Sequence, residues 1–123
     1  MSLIPDNLKY TKDHEWAAVE GPVATVGITD HAQRELGDIV FVELPKVGAT
    51  VKAGESFGTI EAVKTVAELY APVSGKVTEV NNDLGADAGV INTDPYGKGW
   101  IVKIEVSDLG HELIDAAAYT KLI

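Results

Sequence analysis

This sequence predicts a mainly β fold, a flattened β-sandwich of two quasi-symmetric halves, and three observations carry that prediction. Apolar residues fall in short runs rich in β-branched side chains, and each run is closed by Gly, Pro, Asn or Asp. A weak internal repeat follows: Gly37-Asp-Ile-Val-Phe-Val leads through Val47-Gly-Ala to Phe57-Gly-Thr-Ile-Glu61. Then Gly75-Lys-Val-Thr-Glu-Val leads through Leu84-Gly-Ala to Trp100-Ile-Val-Lys-Ile-Glu105. Each half is a strand, a glycine turn and a return strand ending in Glu, and two such halves bury their apolar faces against each other. Finally, 123 residues with 46% apolar content suffice for one modest core, so a single domain spanning 1–123 is expected.

The elements follow in order. Residues 14–20 and 23–28 read as strands separated by Gly21-Pro22. Asp30-His-Ala-Gln33 fits a capping box, and Gly37 ends the short helix it starts, near 30–36. Residues 38–44 form a strand closed by Pro45-Lys-Val-Gly48, and residues 51–54 turn the chain into a strand over 56–63. Strands resume at 66–70 and 75–80. A polar, glycine-containing stretch over 81–99 separates them from a strand at 100–106, with Tyr96 and Trp100 stapling that insertion to the sheet. The alanine-rich tail predicts a helix near 108–122, with Asp115 as an internal cap.

The segment around Lys64 admits two readings from periodicity. Ile60, Val63 and Ala67 also fit helical spacing, and no Asn-Gly or Gly-Gly marks a tight hairpin. The repeat decides between them: Lys64 falls between the two halves, where an exposed turn is expected, so a hairpin is predicted.

Composition excludes several functions. Nineteen acidic against ten basic residues give a net charge of -9, which disfavours nucleic acid and anionic membrane partners. Composition alone favours reading this charge as solubility, although it also suits transient docking on more basic enzymes. Without cysteine there is no disulfide framework, thiolate metal site or thiol nucleophile. No run of about 18 apolar residues is present, and the N-terminus lacks a secretion signal. Nucleophile elbows, phosphate loops and dinucleotide fingerprints are missing. The histidines His14, His31 and His111 lie far apart in sequence without metal-ligand spacing and read as structural residues.

Lys64 is the candidate functional residue. It is the sole cation between Lys52 and Lys76, with Glu61 three positions before it and Gly75 eleven after it. A solitary lysine on a turn is by itself only a solvated charge. Between two strands it is also how a carrier presents an amine for acylation, and acylation would leave Glu55, Glu61 and Glu68 as the only ionic groups over 53–75. Gly75 is expected to supply positive φ in the turn that opens the second repeat. Its spacing from Lys64 places that turn near the tip strand, where the attaching enzyme would sense it as a recognition element. Glu61 reads as a recognition element for the attaching enzyme.

The stretch Glu61-Ala-Val-Lys64 with Gly75 resembles the lipoylation motif of lipoyl domains. Biotinyl domains share the strand–turn–strand pattern but flank their lysine with methionines, where Val63 and Thr65 stand here. From about residue 8 onward the chain further resembles the H proteins of the glycine cleavage system. The matching segments are Tyr10-Thr-Lys-Asp-His-Glu-Trp16, Val23-Ala-Thr-Val-Gly-Ile-Thr-Asp30, Gly37-Asp-Ile-Val-Phe-Val-Glu-Leu-Pro45, Ala71-Pro-Val-Ser-Gly75 and Asp94-Pro-Tyr-Gly with Gly99-Trp100. The departures are Ala62, Thr65 and the looser residues 85–91.

The resemblance implies a barrel-sandwich hybrid fold of the lipoyl-domain type and lipoic acid in amide linkage to Lys64. It implies a non-catalytic carrier that takes an aminomethyl group from a pyridoxal-phosphate glycine decarboxylase (P protein) to a folate-dependent aminomethyltransferase (T protein). Electrons would then pass to dihydrolipoyl dehydrogenase (L protein), and lipoylating enzymes would be further partners. It also implies a cleft sheltering the loaded arm near Glu15 and Glu68, where a carboxylate would hold the cationic amine. A monomer is expected, cytoplasmic rather than in a mitochondrial matrix, with no nucleic acid or membrane partner. Competing readings are a lipoyl relay to other lipoyl domains, a biotin carrier and an acyltransferase-linked lipoyl domain. The missing methionines count against the second, and the lack of a segment after Ile123 against the third.

Overall fold

A computed structural model describes residues 3–109 and 113–123. Two sheets form. The larger has the strand order β1-β2-β3-β9-β8-β5, from β1 (Lys9–Tyr10), β2 (Glu15–Glu20), β3 (Val23–Ile28), β5 (Thr50–Val51), β8 (Ser74–Val80) and β9 (Val102–Asp108). The smaller has the order β4-β6-β7, from β4 (Ile39–Glu43), β6 (Ser56–Ala62) and β7 (Val66–Tyr70). Every pairing is antiparallel.

The repeat maps onto this architecture directly. The first half folds as the antiparallel pair β4–β6 and the second as β8–β9, one in each sheet. β5 crosses to pair Thr50 with Lys76 and Val51 with Gly75, tying the halves together. Period-2 alternation explains the packing. Val42, Ile60 and Leu69 of the small sheet meet Val26, Val77 and Ile104 of the large one in a single buried cluster. A second cluster gathers Leu8, Tyr10, Trp16, Ala116 and Tyr119 on the outer side.

Strands 23–28 and 66–70 fall as expected, and the other boundaries move by a residue or two. Helix α1 (Asp30–Leu36) is capped one residue earlier than the capping box suggests. The buried Thr29 Oγ1 accepts from Ala32 N–H at 3.1 Å, while the Asp30 carboxylate accepts instead from Gln33, Arg34 and Leu3 N–H. The 81–99 insertion contains more than loop. It holds a 3-10 turn over Asn82–Gly85 and helix α2 (Val90–Thr93). As expected, Tyr96 staples it, its Oη donating to Leu3 C=O and accepting from Asp30 N–H. The second ring that ties it down by a hydrogen bond is Trp16 of β2, whose Nε1 donates to Pro95 C=O, and not Trp100.

The tail differs from its prediction. β9 continues to Asp108, so no helix starts there, and helix α3 occupies Ala116–Leu122. Asp115 is its true N-cap, accepting from Ala118 N–H at 2.8 Å, because residues before it lack the alanine run. The predicted span also covers 110–112, and these residues, with His111, lie outside the described ones.

Candidate functional site

The hairpin reading at Lys64 holds. Residues 66–70 return antiparallel to β6, with Glu61 opposite Val66, and Ala62 N–H donates to Thr65 C=O at 2.8 Å across a loop made of Val63 and Lys64. Two-residue hairpins ordinarily need positive φ, yet neither loop residue has it. The loop is instead held from outside: Val63 N–H donates to Asp38 C=O at 2.9 Å. Lys64 is exposed, and its stem lies over Gly37, whose missing Cβ would sit 3.4 Å from Lys64 Cε. Gly37 has φ +79, so glycine there both ends α1 and leaves room for the lysine stem.

The seat under this loop is fixed by Asn92, which the sequence did not single out. Its Oδ1 accepts from Ile39 N–H at 2.9 Å, and its Nδ2 donates to Gly37 C=O at 2.8 Å and to Gln33 Oε1 at 3.0 Å. One side chain thus clamps both neighbours of Asp38. Removing it in Asn92→Ala leaves an inward N–H and C=O unpaired, at a cost of about 1–3 kcal/mol. Thermal unfolding should therefore show a melting temperature lower by several degrees; an unchanged value would show that the clamp carries no weight.

Beside the hairpin, between α1 and the free edge of β7, opens a cleft of about 150 Å³. Its walls are apolar, from Ile28, Ala32, Leu36, Ile60, Ala67 and Leu69. Its polar lining is almost wholly acidic: Asp13, Glu15, Glu35 and Glu68, with His14. A larger hollow at Asn81, Asp83, Asp87, Val90, Lys98 and Trp100 is not lined by the hairpin.

Glu15 and Glu68, both sequence candidates, are thus brought to one cleft, but in different states of exposure. Glu68 is exposed at the rim. Glu15 is buried at 2% exposure. Thr11 Oγ1 donates to its Oε1 at 2.8 Å and Tyr70 N–H to its Oε2 at 3.2 Å. Burial raises its pKa to about 8, against the partial relief of those two hydrogen bonds. At neutral pH the carboxyl is therefore mostly protonated when no cation faces it.

That shift has a sign that can be tested. The folded-state pKa exceeds the ordinary value of 4.5, so the folded protein holds a proton that the unfolded chain releases. This stability contribution is complete below pH 4.5 and is lost as pH rises to about 8. In Glu15→Gln, denaturant titrations from pH 5 to 9 should lack that slope, worth on the order of a few kcal/mol. An identical slope in the variant would assign the titration to another group.

Helix α3 braces the cleft from behind. Tyr119 Oη lies 2.8 Å from both Thr29 Oγ1 and His14 Nδ1, and its ring stacks on Tyr10 at 4.8 Å. His14 has φ 67, and its ring centroid is 4.7 Å from that of His31. So two of the histidines that are distant in sequence are neighbours in space. Burial and then His31 push the His14 pKa down. They form no metal centre: among the described residues no three His, Cys, Asp or Glu side chains are grouped to hold one.

The remaining candidates sit elsewhere. Glu61 lies on the outer face of β6, between Phe41 and Val66. Gly75 is not in a positive-φ turn. It is buried inside β8 at a register shift, five residues beyond Tyr70, which pairs with Ser56 at the end of the hairpin away from Lys64. A Cβ there would lie 2.0 Å from Glu105 C=O and 2.8 Å from Ile104 Cγ2, so close strand approach demands the glycine.

A two-sheet β domain lifting one solvent-exposed lysine on a hairpin, beside an acid-lined apolar cleft, has the form of a carrier module. Comparison with known proteins narrows the class. The family model described as glycine cleavage H-protein matches residues 8–123. Glycine cleavage system H proteins of Chlorobium limicola and Myxococcus xanthus are 61% and 57% identical, each over 98% of this chain and 97% and 95% of their own. The crystal structure of a glycine cleavage system H protein from Mycobacterium marinum superposes with a TM-score of 0.91 at 46% identity, covering 96% of this chain and 97% of that one. The chain belongs to the glycine cleavage H-protein family.

Proposed function

We propose that this chain is the lipoyl-bearing carrier of glycine cleavage, with lipoic acid in amide linkage to Lys64. The observation that carries the reading is the position of Lys64: an exposed primary amine on an externally clamped hairpin, next to an apolar cleft lined by carboxyl groups. Both parts fit the group, since a lipoyl arm needs an amine to acylate and an apolar surface to lie against. When attached, it supplies a disulfide that accepts a one-carbon amine and electrons.

The chain's own residues divide the remaining work. Lys64 anchors and extends the arm. Ile28, Ile60 and Leu69 exclude water from the cleft. Glu15 answers the charge of an incoming ammonium: a cation against its carboxyl lowers the raised pKa, so the proton leaves and a charge-assisted hydrogen bond replaces it. Glu68 faces the same cation from the rim. Glu61, on the outer face, is a recognition element for the lipoylating enzyme, while Gly75 serves attachment through the fold, by letting β8 lie close to β9.

In this role the chain works as a single non-catalytic, monomeric, cytoplasmic domain. It carries the aminomethyl group from glycine decarboxylase to aminomethyltransferase and electrons to dihydrolipoyl dehydrogenase. Family membership supports this cycle, and the net charge of -9 suits brief docking on more basic partners. No helix of the described residues is long and apolar enough to cross a membrane. Intact mass and peptide mapping after expression in a lipoate-competent host should find one lipoyl adduct, on Lys64. A biotinyl adduct, or none, overturns the reading.

A further inference from the structure

The outer face of the small sheet carries apolar side chains that its core does not need. The inner positions Val42, Ile60 and Leu69 already fill the interior. On the other face the register sets Phe41 opposite Glu61 and Glu61 opposite Val66, in the row nearest the Lys64 loop. A register shift between Ile39 and Phe41 leaves Val40 exposed as well. Exposures are 59% for Val40, 49% for Phe41, 76% for Val63 and 60% for Val66. Four of the ten large exposed hydrophobic residues described for this chain therefore surround one lysine, whereas scattered single ones would need no explanation.

Carboxylates edge this patch. Glu61 sits within it, and Glu43 and Glu68 flank Thr59 in the next row of the same face. Lys64 supplies the only cation between Lys52 and Lys76, and it loses its charge on acylation. A surface of this kind is complementary to an apolar rim edged with lysine or arginine. It is also small. Four side chains bury far less than the roughly 1,600 Å² of a standard stable complex, as suits an enzyme that must release its product.

We propose that Val40, Phe41, Val63 and Val66 form the docking surface for the enzyme that acylates Lys64, which seats on them through an apolar, basic-edged rim. The inference rests on the lipoyl-carrier reading. In the step it serves, Lys64 Nζ, as the free amine, attacks the activated acyl carbon. The amide bond forms as the bond from that carbon to its adenylate breaks, and the amine's proton passes to solvent. Phe41 and Val66 anchor the contact from both sides of Glu61, and the carboxylates set its orientation and its salt dependence.

The test uses the unmodified protein as substrate for a lipoate–protein ligase supplied with lipoate and ATP, with initial rates read by intact mass. The Phe41→Ser/Val66→Thr double variant should raise KM about tenfold with kcat unchanged, and a Val19→Thr control on β2 should not. Melting temperatures should match the wild type, because all three sites are exposed. Wild-type KM should rise with NaCl. A double variant with wild-type KM at matched melting temperature overturns the proposal. So does wild-type self-association in sedimentation that the double variant abolishes without a change in KM, since the patch would then join two copies of this chain. Failure of the wild type to be acylated on Lys64 is a different result, and sinks the lipoyl-carrier reading instead.

Discussion

Lys64→Arg, expressed where lipoate is made, will carry no acyl adduct and will reduce a reconstituted glycine-cleavage assay to background. The expectation follows from the chemistry of the two side chains. A lysine amine can lose its proton and attack an acyl carbon, whereas a guanidinium stays protonated and delocalised at any physiological pH. Because the side chain is exposed and its stem only rests over Gly37, the substitution leaves the hairpin clamped by Asp38 and Asn92. Melting temperature should stay within about 2 °C of wild type, as for other surface substitutions. Loss of the adduct at unchanged stability would locate the effect in attachment chemistry. An adduct that moves to Lys52 or Lys76 would show that the enzyme reads the fold and not this loop.

Gly75→Ala should be the most damaging conservative substitution in the β8–β9 pairing. Its methyl would lie 2.0 Å from Glu105 C=O, and backbone cannot swing aside as a flexible side chain can. The strands must part or the register must slip, at a cost of about 2–3 kcal/mol, which lowers the melting temperature by about 10 °C. Attachment is where this departs from a recognition role. Below the transition, the folded variant should be acylated on Lys64 at close to the wild-type rate, because Gly75 is buried and follows the far end of the hairpin. A much slower rate at full folding would make Gly75 a direct contact for the attaching enzyme.

The outcome at Gly75 illustrates what a sequence can and cannot carry. Its spacing from Lys64 was legible, and so was the need for glycine. The reason for that need was not, because a turn and a close strand approach call for the same residue. Strands were legible wherever β-branched runs ended in turn residues, as at 23–28 and 66–70. The cleft was legible in part: Glu15 and Glu68 came from resemblance, whereas Asp13 and His14, although in the same segment as Glu15, and Glu35 on α1 carry nothing that marks them for the cleft. Asn92 left no signal, since one amide among polar insertion residues looks like any other. Tyr119 left a faint one, as the single aromatic in an alanine-rich helix three residues after the buried Ala116.

By itself, then, the sequence determined the β class, the two-fold repeat and the identity of the one lysine to watch, because these depend on local pattern and composition. The tertiary structure alone showed what holds the Lys64 hairpin that the repeat predicts, since the loop lacks the dihedral signature of a tight turn and is held by a carbonyl 25 residues away, that of Asp38 bonded to Val63. It also decided the state of Glu15, because the protonation of a carboxyl depends on the dielectric that distant residues close around it.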